Sequence, residues 1–311
     1  MTRSPPHMTR RDTLLAGLGC SVALAAPARA ASGPVVATDL GGDLVLYSGA
    51  GGNVVGLRGG DGRLLVDGGS AQQSAALLAA VQEKQGGAPV RYLLNTHWHV
   101  DHTGSNEALA ASGAKIVAHE NTKLWMGQEI TCPWENRTYP PRPAQALPTD
   151  TFFYDSKQLS LGGAQVEYGY LPQAHTDGDI YVRFPAQNVL VAGDVVSGGR
   201  YPVVDYATNG WIGGMIDGLR LLLGKCDAQT RIVPGSGGLR TKADVQAQLD
   251  MCVAVIKKIS DSYYKGETRQ QFAASKPTRD FDAQWGDPAI FLTTAYKGVW
   301  YHINDVRRYT R

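Results

Sequence analysis

The segment Thr96-His97-Trp98-His99-Val100-Asp101-His102 places three of the chain's seven histidines within six residues, with an aspartate between the last two. Neutral imidazole nitrogen is a good ligand for Zn²⁺ and similar borderline ions. His97 and His99 are two residues apart, so in an extended segment both side chains point the same way and one ion can take both. Asp101 and His102 follow on the next bend, within reach of a second ion. The cluster comes directly after residues 90–95 ("VRYLLN"), which read as a buried strand. Loops at strand ends are where α/β proteins keep reactive groups.

Two further residues fit the same chemistry. His175 lies in "PQAHTDGD", between segments with strand character. Asp194 ends the apolar run "NVLVAGD", where a buried carboxylate without a partner is costly and a cation opposite it removes the cost. Taken with "VDGG" around Asp67 and "IVPGSG" around Ser236, this set resembles the metallo-β-lactamase-fold hydrolase superfamily over residues 35 to about 251. The resemblance implies an α/β protein built as a four-layer αβ/βα sandwich, with a metal site along one edge of its two sheets. It implies one ion on His97, His99 and His175, a second on Asp101 and His102, and Asp194 bridging the two. Asp67 in this pattern orients a ligand rather than binding metal. The last motif usually reads Pro-Gly-His-Gly, its histidine serving the second ion; here it is Pro234-Gly235-Ser236-Gly237. A neutral hydroxyl donates weakly beside an imidazole. Ser236 is therefore expected to give only a weak or water-mediated contact, and the second site to be the weaker one. His119 and His302 are candidates to make up the missing ligand.

Three histidines and an open position are the arrangement of a catalytic zinc. Water on such an ion loses its proton near neutral pH, so hydroxide is the nucleophile and no serine or cysteine is required. Asp101, beside the expected water, is the residue to orient it or accept its proton. The expectation is a metal-dependent hydrolase acting on a small molecule with an activated acyl bond: a β-lactam, a lactone or an ester. One Zn²⁺ is expected to be firmly bound and a second more loosely, with Fe or Mn also compatible. The alternative is a metal-binding superfamily member with a degenerate second site and little or no hydrolase activity. Loops around the metal decide the substrate. Arg200 and Tyr201, shortly after Asp194, and Trp134, in "CPWENRTYPPRP", are the candidate substrate contacts. Arginine there suits a substrate carboxylate, through paired hydrogen bonds.

The elements that must position these residues follow from composition and pattern. With 311 residues, 43% hydrophobic and 19% charged, the chain has the make-up of a globular protein. A formal net charge of +2 gives no reason to expect nucleic acid or an anionic membrane as partner. The 37 glycines favour short strands and tight turns over a helix bundle. Residues 35–67 read as strands separated by glycine turns. Residues 70–85 read as a helix presenting Ala71, Ala75, Leu78 and Val81 on one face. Residues 131–148 read as a Pro-rich loop. Strands are expected in 152–171, "DIYVRF", "NVLVAGD" and "RIVPG", and helices at 211–223 and 241–264. "AIFLTTAYKGVWYHI" reads as a helix and strand docked outside, within a C-terminal helical extension from about residue 252.

Residues 1–30 are expected to be an export signal rather than part of the single domain at 31–311. Arg10 and Arg11 form a basic start of twin-arginine type, 14–26 is apolar, and Ala28-Arg29-Ala30 is a small-x-small cleavage site. Met8 is the expected start, and the destination is the periplasm or the exterior, with no membrane role beyond export. Cleavage would leave Cys132, Cys226 and Cys252, whose spacing holds no CxxC metal motif.

Overall fold

The computed structural model describes residues 33–310. The expected export signal, Cys20 included, lies outside the described residues. Four strands, β1 (Val36–Gly41), β2 (Leu44–Ala50), β3 (Gly52–Gly59) and β4 (Gly62–Val66), form an antiparallel meander. β5 (Val90–Leu94) and β6 (Lys115–His119) add in parallel beside β4. After a small separate hairpin of β7 (Ile130–Cys132) and β8 (Arg137–Tyr139), β9 (Asp150–Phe152) completes this seven-stranded sheet. The second sheet runs β10 (Ser156–Leu161), β11 (Ala164–Tyr170), β12 (Ile180–Phe184) and β13 (Val189–Gly193), all antiparallel, with β14 (Arg231–Pro234) parallel to β13. Gly162 and Gly163 turn β10 into β11 with φ of 54° and 91°, a two-residue loop for which glycine is the natural choice.

Alternation along the strands explains the layering. In β4, Leu64 and Val66 point into the space between the sheets, whereas Leu65 packs outward with Leu77 and Val81 of α1 (Ser74–Gln85). In β13, Val189 and Val191 join the same inter-sheet core from the other side, and Leu190 and Ala192 face the second helical layer. Strands buried on both faces read as unbroken apolar runs, as these do. α2 (Asn106–Ala111) flanks the first sheet, and α3 (Glu120–Met126) follows β6. The second sheet is covered by α4 (Ile212–Gly224), α5 (Lys242–Tyr264), α6 (Arg269–Ala274), α7 (Asp282–Trp285), α8 (Ala289–Trp300) and α9 (Arg307–Thr310). α5 starts in a capping box, Thr241 and Asp244 each accepting from the other's backbone N–H. The result is the expected four-layer αβ/βα sandwich, with each fully buried Leu, Val or Ile contributing about 1.5–3 kcal/mol.

Three local expectations are corrected. The buried stripe of α1 is Leu77, Val81 and Gln85, while Ala71 and Ala75 are exposed. The Gln85 amide is buried because it donates to the carbonyls of Asp43 and Gly56, both at 2.9 Å. Residues 131–148 are not merely a loop: Pro133 to Asn136 turn β7 into β8, and both strands are only three residues long. The apolar segment after residue 289 is the helix α8, followed by turns and α9; no strand follows it among the described residues. Cys132, Cys226 and Cys252 are buried free thiols.

Candidate metal centre

Parallel strands carry the site on their C-terminal ends. Asp67 follows β4, residues 96–102 follow β5, Asp194 follows β13, and Ser236 comes two residues after β14. His175 lies in the β11–β12 connection, whose turn is shaped by Asp179 accepting from the Thr176 N–H and hydroxyl, both at 2.8 Å. The two sheets are stitched together along this edge. Ile180 N–H donates to the Thr96 carbonyl at 2.8 Å and Asn53 N–H to the Gly235 carbonyl at 2.7 Å. The Asn53 side chain donates to the carbonyls of Pro234 and Gly237.

One ligand atom from each of His97, His99, His175 and Asp194 lies within 4.8 Å of every other. The outer nitrogen of each imidazole is anchored, and the anchors determine the tautomers. His99 Nε2–H donates to Asp205 Oδ2 at 3.0 Å, and His175 Nδ1–H to the Val203 carbonyl at 2.9 Å. His102 Nδ1–H donates to Asp67 Oδ2 at 2.8 Å. His97 Nδ1–H donates to Thr96 Oγ1 at 3.0 Å, and that hydroxyl donates onward to Asp67 Oδ2. Four ring nitrogens therefore face inward. His99 Nδ1 and His175 Nε2 stand 3.2 Å apart, a hydrogen bond when either carries a proton, and the buried Nε2 atoms of His97 and His102 have no hydrogen-bond partner among the described residues. Such orphaned buried acceptors call for a counterpart. A divalent cation supplies one in place of the protons these nitrogens otherwise hold, so the donor set fits a metal ion.

Asp194 stands between two groups of ligands. Its Oδ2 faces His97 at 3.9 Å and His175 at 3.8 Å, and its Oδ1 faces His102 at 3.6 Å. Asp101, with a side chain 46% exposed, lies 4.0 Å from His102 Nε2. The turn that follows must leave room for the carboxylate: a Cβ on Gly235 would stand 1.8 Å from Asp194 Oδ1. Burial, and then the crowding of His102, His99 and His175, holds His97 well below the ordinary histidine range. Burial also acts to lower His102, but the carboxylates of Asp67, Asp101 and Asp194 outweigh it and raise the ring to about 10. Burial would raise Asp194; His102, His175, His99 and Arg200 reverse that and hold it below the usual carboxylate range. Carboxylates gathered around these imidazoles make a field that favours positive charge, a proton on His102 or a cation in its place.

Asp67 is buried at φ +64°, a left-handed conformation that costs free energy in most residues. Its two oxygens accept from Thr96 N–H at 2.7 Å, Thr96 Oγ1–H at 2.8 Å and His102. Arg200 is exposed, and its Nη2–H donates to Ser236 Oγ at 3.2 Å. Ser236 is thus engaged by a guanidinium at the place where a further ligand was sought. Neither His119 nor His302 supplies it. His119 caps α3, bonds the Phe153 carbonyl and stacks on Tyr170; His302 stacks on Trp211 in the helical layer. Tyr201 is not brought to the site: it is 6% exposed, donates to Asp282 at 2.8 Å and stacks on Phe291. Trp134 packs against Tyr206, with ring centroids 5.0 Å apart. The residue that sequence reasoning missed is Asp205. It is fully buried, accepts from His99 and the Thr208 hydroxyl through Oδ2, and from the N–H groups of Ala207 and Thr208 through Oδ1. Its only signal in the sequence is "DYAT", which reads as an ordinary cap.

Comparison with known proteins agrees with this geometry. The family model described as the metallo-beta-lactamase superfamily matches residues 48–248. Among solved structures, a metallo-beta-lactamase from Pontibacter korlensis superposes with a TM-score of 0.58 at 20% identity, covering 70% of this chain and 98% of that one. The DIM-1 metallo-beta-lactamase gives 0.56 at 16% identity, covering 71% and 97%. These likenesses concern the fold. A curated relative, the 2,4-dinitroanisole O-demethylase subunit alpha of Nocardioides sp. (strain JS1661), is 29% identical over 126 residues, 40% of this chain. The match spans only 35% of that relative's length. The sandwich, the edge position of the histidines and the extent of the family match lead to one assignment: the chain belongs to the metallo-beta-lactamase superfamily.

Proposed function

We propose that the protein is a metal-dependent hydrolase of small molecules with an activated acyl bond, a β-lactam, lactone or ester. The observation that carries this reading is the convergence of four inward imidazole nitrogens around Asp194, each ring fixed from behind by a hydrogen bond. His97, His99 and His175 would hold one ion, for which zinc is the best match to three imidazoles. His102, Asp101 and Asp194 would hold a second, weaker one, since Ser236 is occupied by Arg200. When bound, a divalent cation supplies Lewis acidity and makes hydroxide available near neutral pH. Asp101, partly exposed at the mouth, accepts the proton of the attacking water. Asp67 and Asp205 keep His102 and His99 in the tautomers that leave their inner nitrogens free. Arg200 offers a guanidinium beside Asp194 to a substrate carboxylate. Export of the folded protein to the periplasm or beyond belongs to the same proposal.

The test is a panel of a chromogenic β-lactam, lactones and activated esters, assayed with and without chelator. It includes an activated aryl ether, because one relative is named for O-demethylation of such a compound. Hydrolysis of at least one acyl substrate is expected, lost on chelation and restored by Zn²⁺. A zinc-replete protein inert to the whole panel would replace this reading with metal binding alone. Elemental analysis is expected to show one ion retained through dialysis and a second lost. Asp205→Asn, which no longer offers His99 a carboxylate, is expected to weaken metal affinity by about 10- to 100-fold in competition with a chelating dye.

A further inference from the structure

Beside His99 lies a pocket of about 200 Å³ for which the proposed reaction has no use. Trp98 and Val100, the residues on either side of His99, form one wall; Trp125, Tyr139, Arg137 and Arg142 form the others. Trp98 meets the His99 ring edge-on at 4.4 Å, so one side chain separates the pocket from the nearest proposed metal ligand. The polar ends of all three aromatic walls are already used. Trp98 Nε1–H donates to Thr208 at 3.1 Å, Trp125 Nε1–H to Asp177 at 2.6 Å, and the Tyr139 hydroxyl to Glu135. Those bonds fix the rings and leave ring surface as what these walls offer.

The guanidiniums differ. Arg137 lies over the Tyr139 ring, 4.4 Å from its centroid. Among the described residues, neither Arg137 nor Arg142 forms an ion pair with a carboxylate. A recess with aromatic walls and two guanidiniums outside any close ion pair, Arg142 feeling the Glu107 carboxylate only at longer range, matches one ligand chemistry, a planar ring bearing an anionic substituent. The ring gains aromatic contact and the anion accepts charge-assisted hydrogen bonds. Size agrees: an apolar cavity of roughly 150 Å³ takes benzene, so this one holds a single substituted ring.

We propose that this pocket is an aryl-acid subsite, taking a monocyclic aromatic ring of the substrate through its walls and the ring's carboxylate through Arg137 and Arg142. Its place in catalysis rests on the hydrolase reading; its binding of the ring does not. The test is calorimetric titration of the full-length, zinc-loaded protein with benzoate, and with cyclohexanecarboxylate as the non-planar control. Benzoate is expected to bind saturably at one site, about 10-fold or more tighter than the control, and to keep binding after chelation. Arg137→Gln combined with Arg142→Gln is expected to weaken benzoate by about 10-fold or more. The proposal is overturned if benzoate binding vanishes with chelator, or is lost in Arg200→Gln and untouched in the double variant. Benzoate binding at the expected site without turnover of any acyl substrate sinks the hydrolase reading and leaves the subsite standing. Equal turnover of aryl and alkyl esters without benzoate binding does the reverse.

Discussion

Alanine at both His97 and His99 is expected to leave the purified protein without a tightly held divalent cation and to reduce kcat/KM on its best acyl substrate by at least about 10³-fold. That is at or beyond what loss of one well-placed transition-state donor costs, because the proposed source of the nucleophile goes with the ion. The substitutions also remove the two rings whose inner nitrogens face Asp194 and His175. Elemental analysis and steady-state hydrolysis, with near-UV circular dichroism to check the fold, measure the outcome. Full turnover in a folded, metal-free double variant would falsify the proposed mechanism.

The second large effect is on stability. Asp67→Ala is expected to destabilise the fold by about 3–5 kcal/mol, the range for stripping one partner from a buried charged network. Three donors, Thr96 N–H, Thr96 Oγ1–H and His102 Nδ1–H, lose their acceptor in a place closed to solvent. Asp67→Gly removes the same acceptor but relaxes the φ of +64°. It is expected to be less harmful than alanine by about 1 kcal/mol. Urea unfolding of the unsubstituted protein and the two variants measures both differences. Equal midpoints for the unsubstituted protein and the Asp67→Ala variant would show that the carboxylate does not hold this edge together.

What could be read from the chain and what could not divide along a physical line. His97 and His99 were legible because a separation of two in an extended segment is a local geometric fact. Asp194 was legible because a carboxylate closing an apolar strand needs a counter-charge. The layering was legible because β4 and β13 are apolar on both faces. Asp205 was not, since a chain separation of 106 residues carries no sign that it grips His99. The stripe of α1 was misread at Ala71 and Ala75, which are exposed, while Gln85 is buried because the carbonyls of Asp43 and Gly56 accept from its amide. Tyr201 was misread because closeness to Asp194 along the chain does not say which way a side chain turns. The β7–β8 hairpin escaped because runs of three residues among prolines carry no usable alternation.

The seam between the sheets has one more consequence. His97, His99 and His102 hang from the first sheet, His175 and Asp194 from the second, and Ile180 to Thr96 and Asn53 to Gly235 are the backbone bonds that hold them in register. A slip of one sheet over the other by a fraction of an ångström would move three of these ligands against the other two. The cleft therefore behaves as a caliper. Trimming an interior valine such as Val182, which is not itself a proposed ligand, should register as weakened grip on the ion before it registers as unfolding.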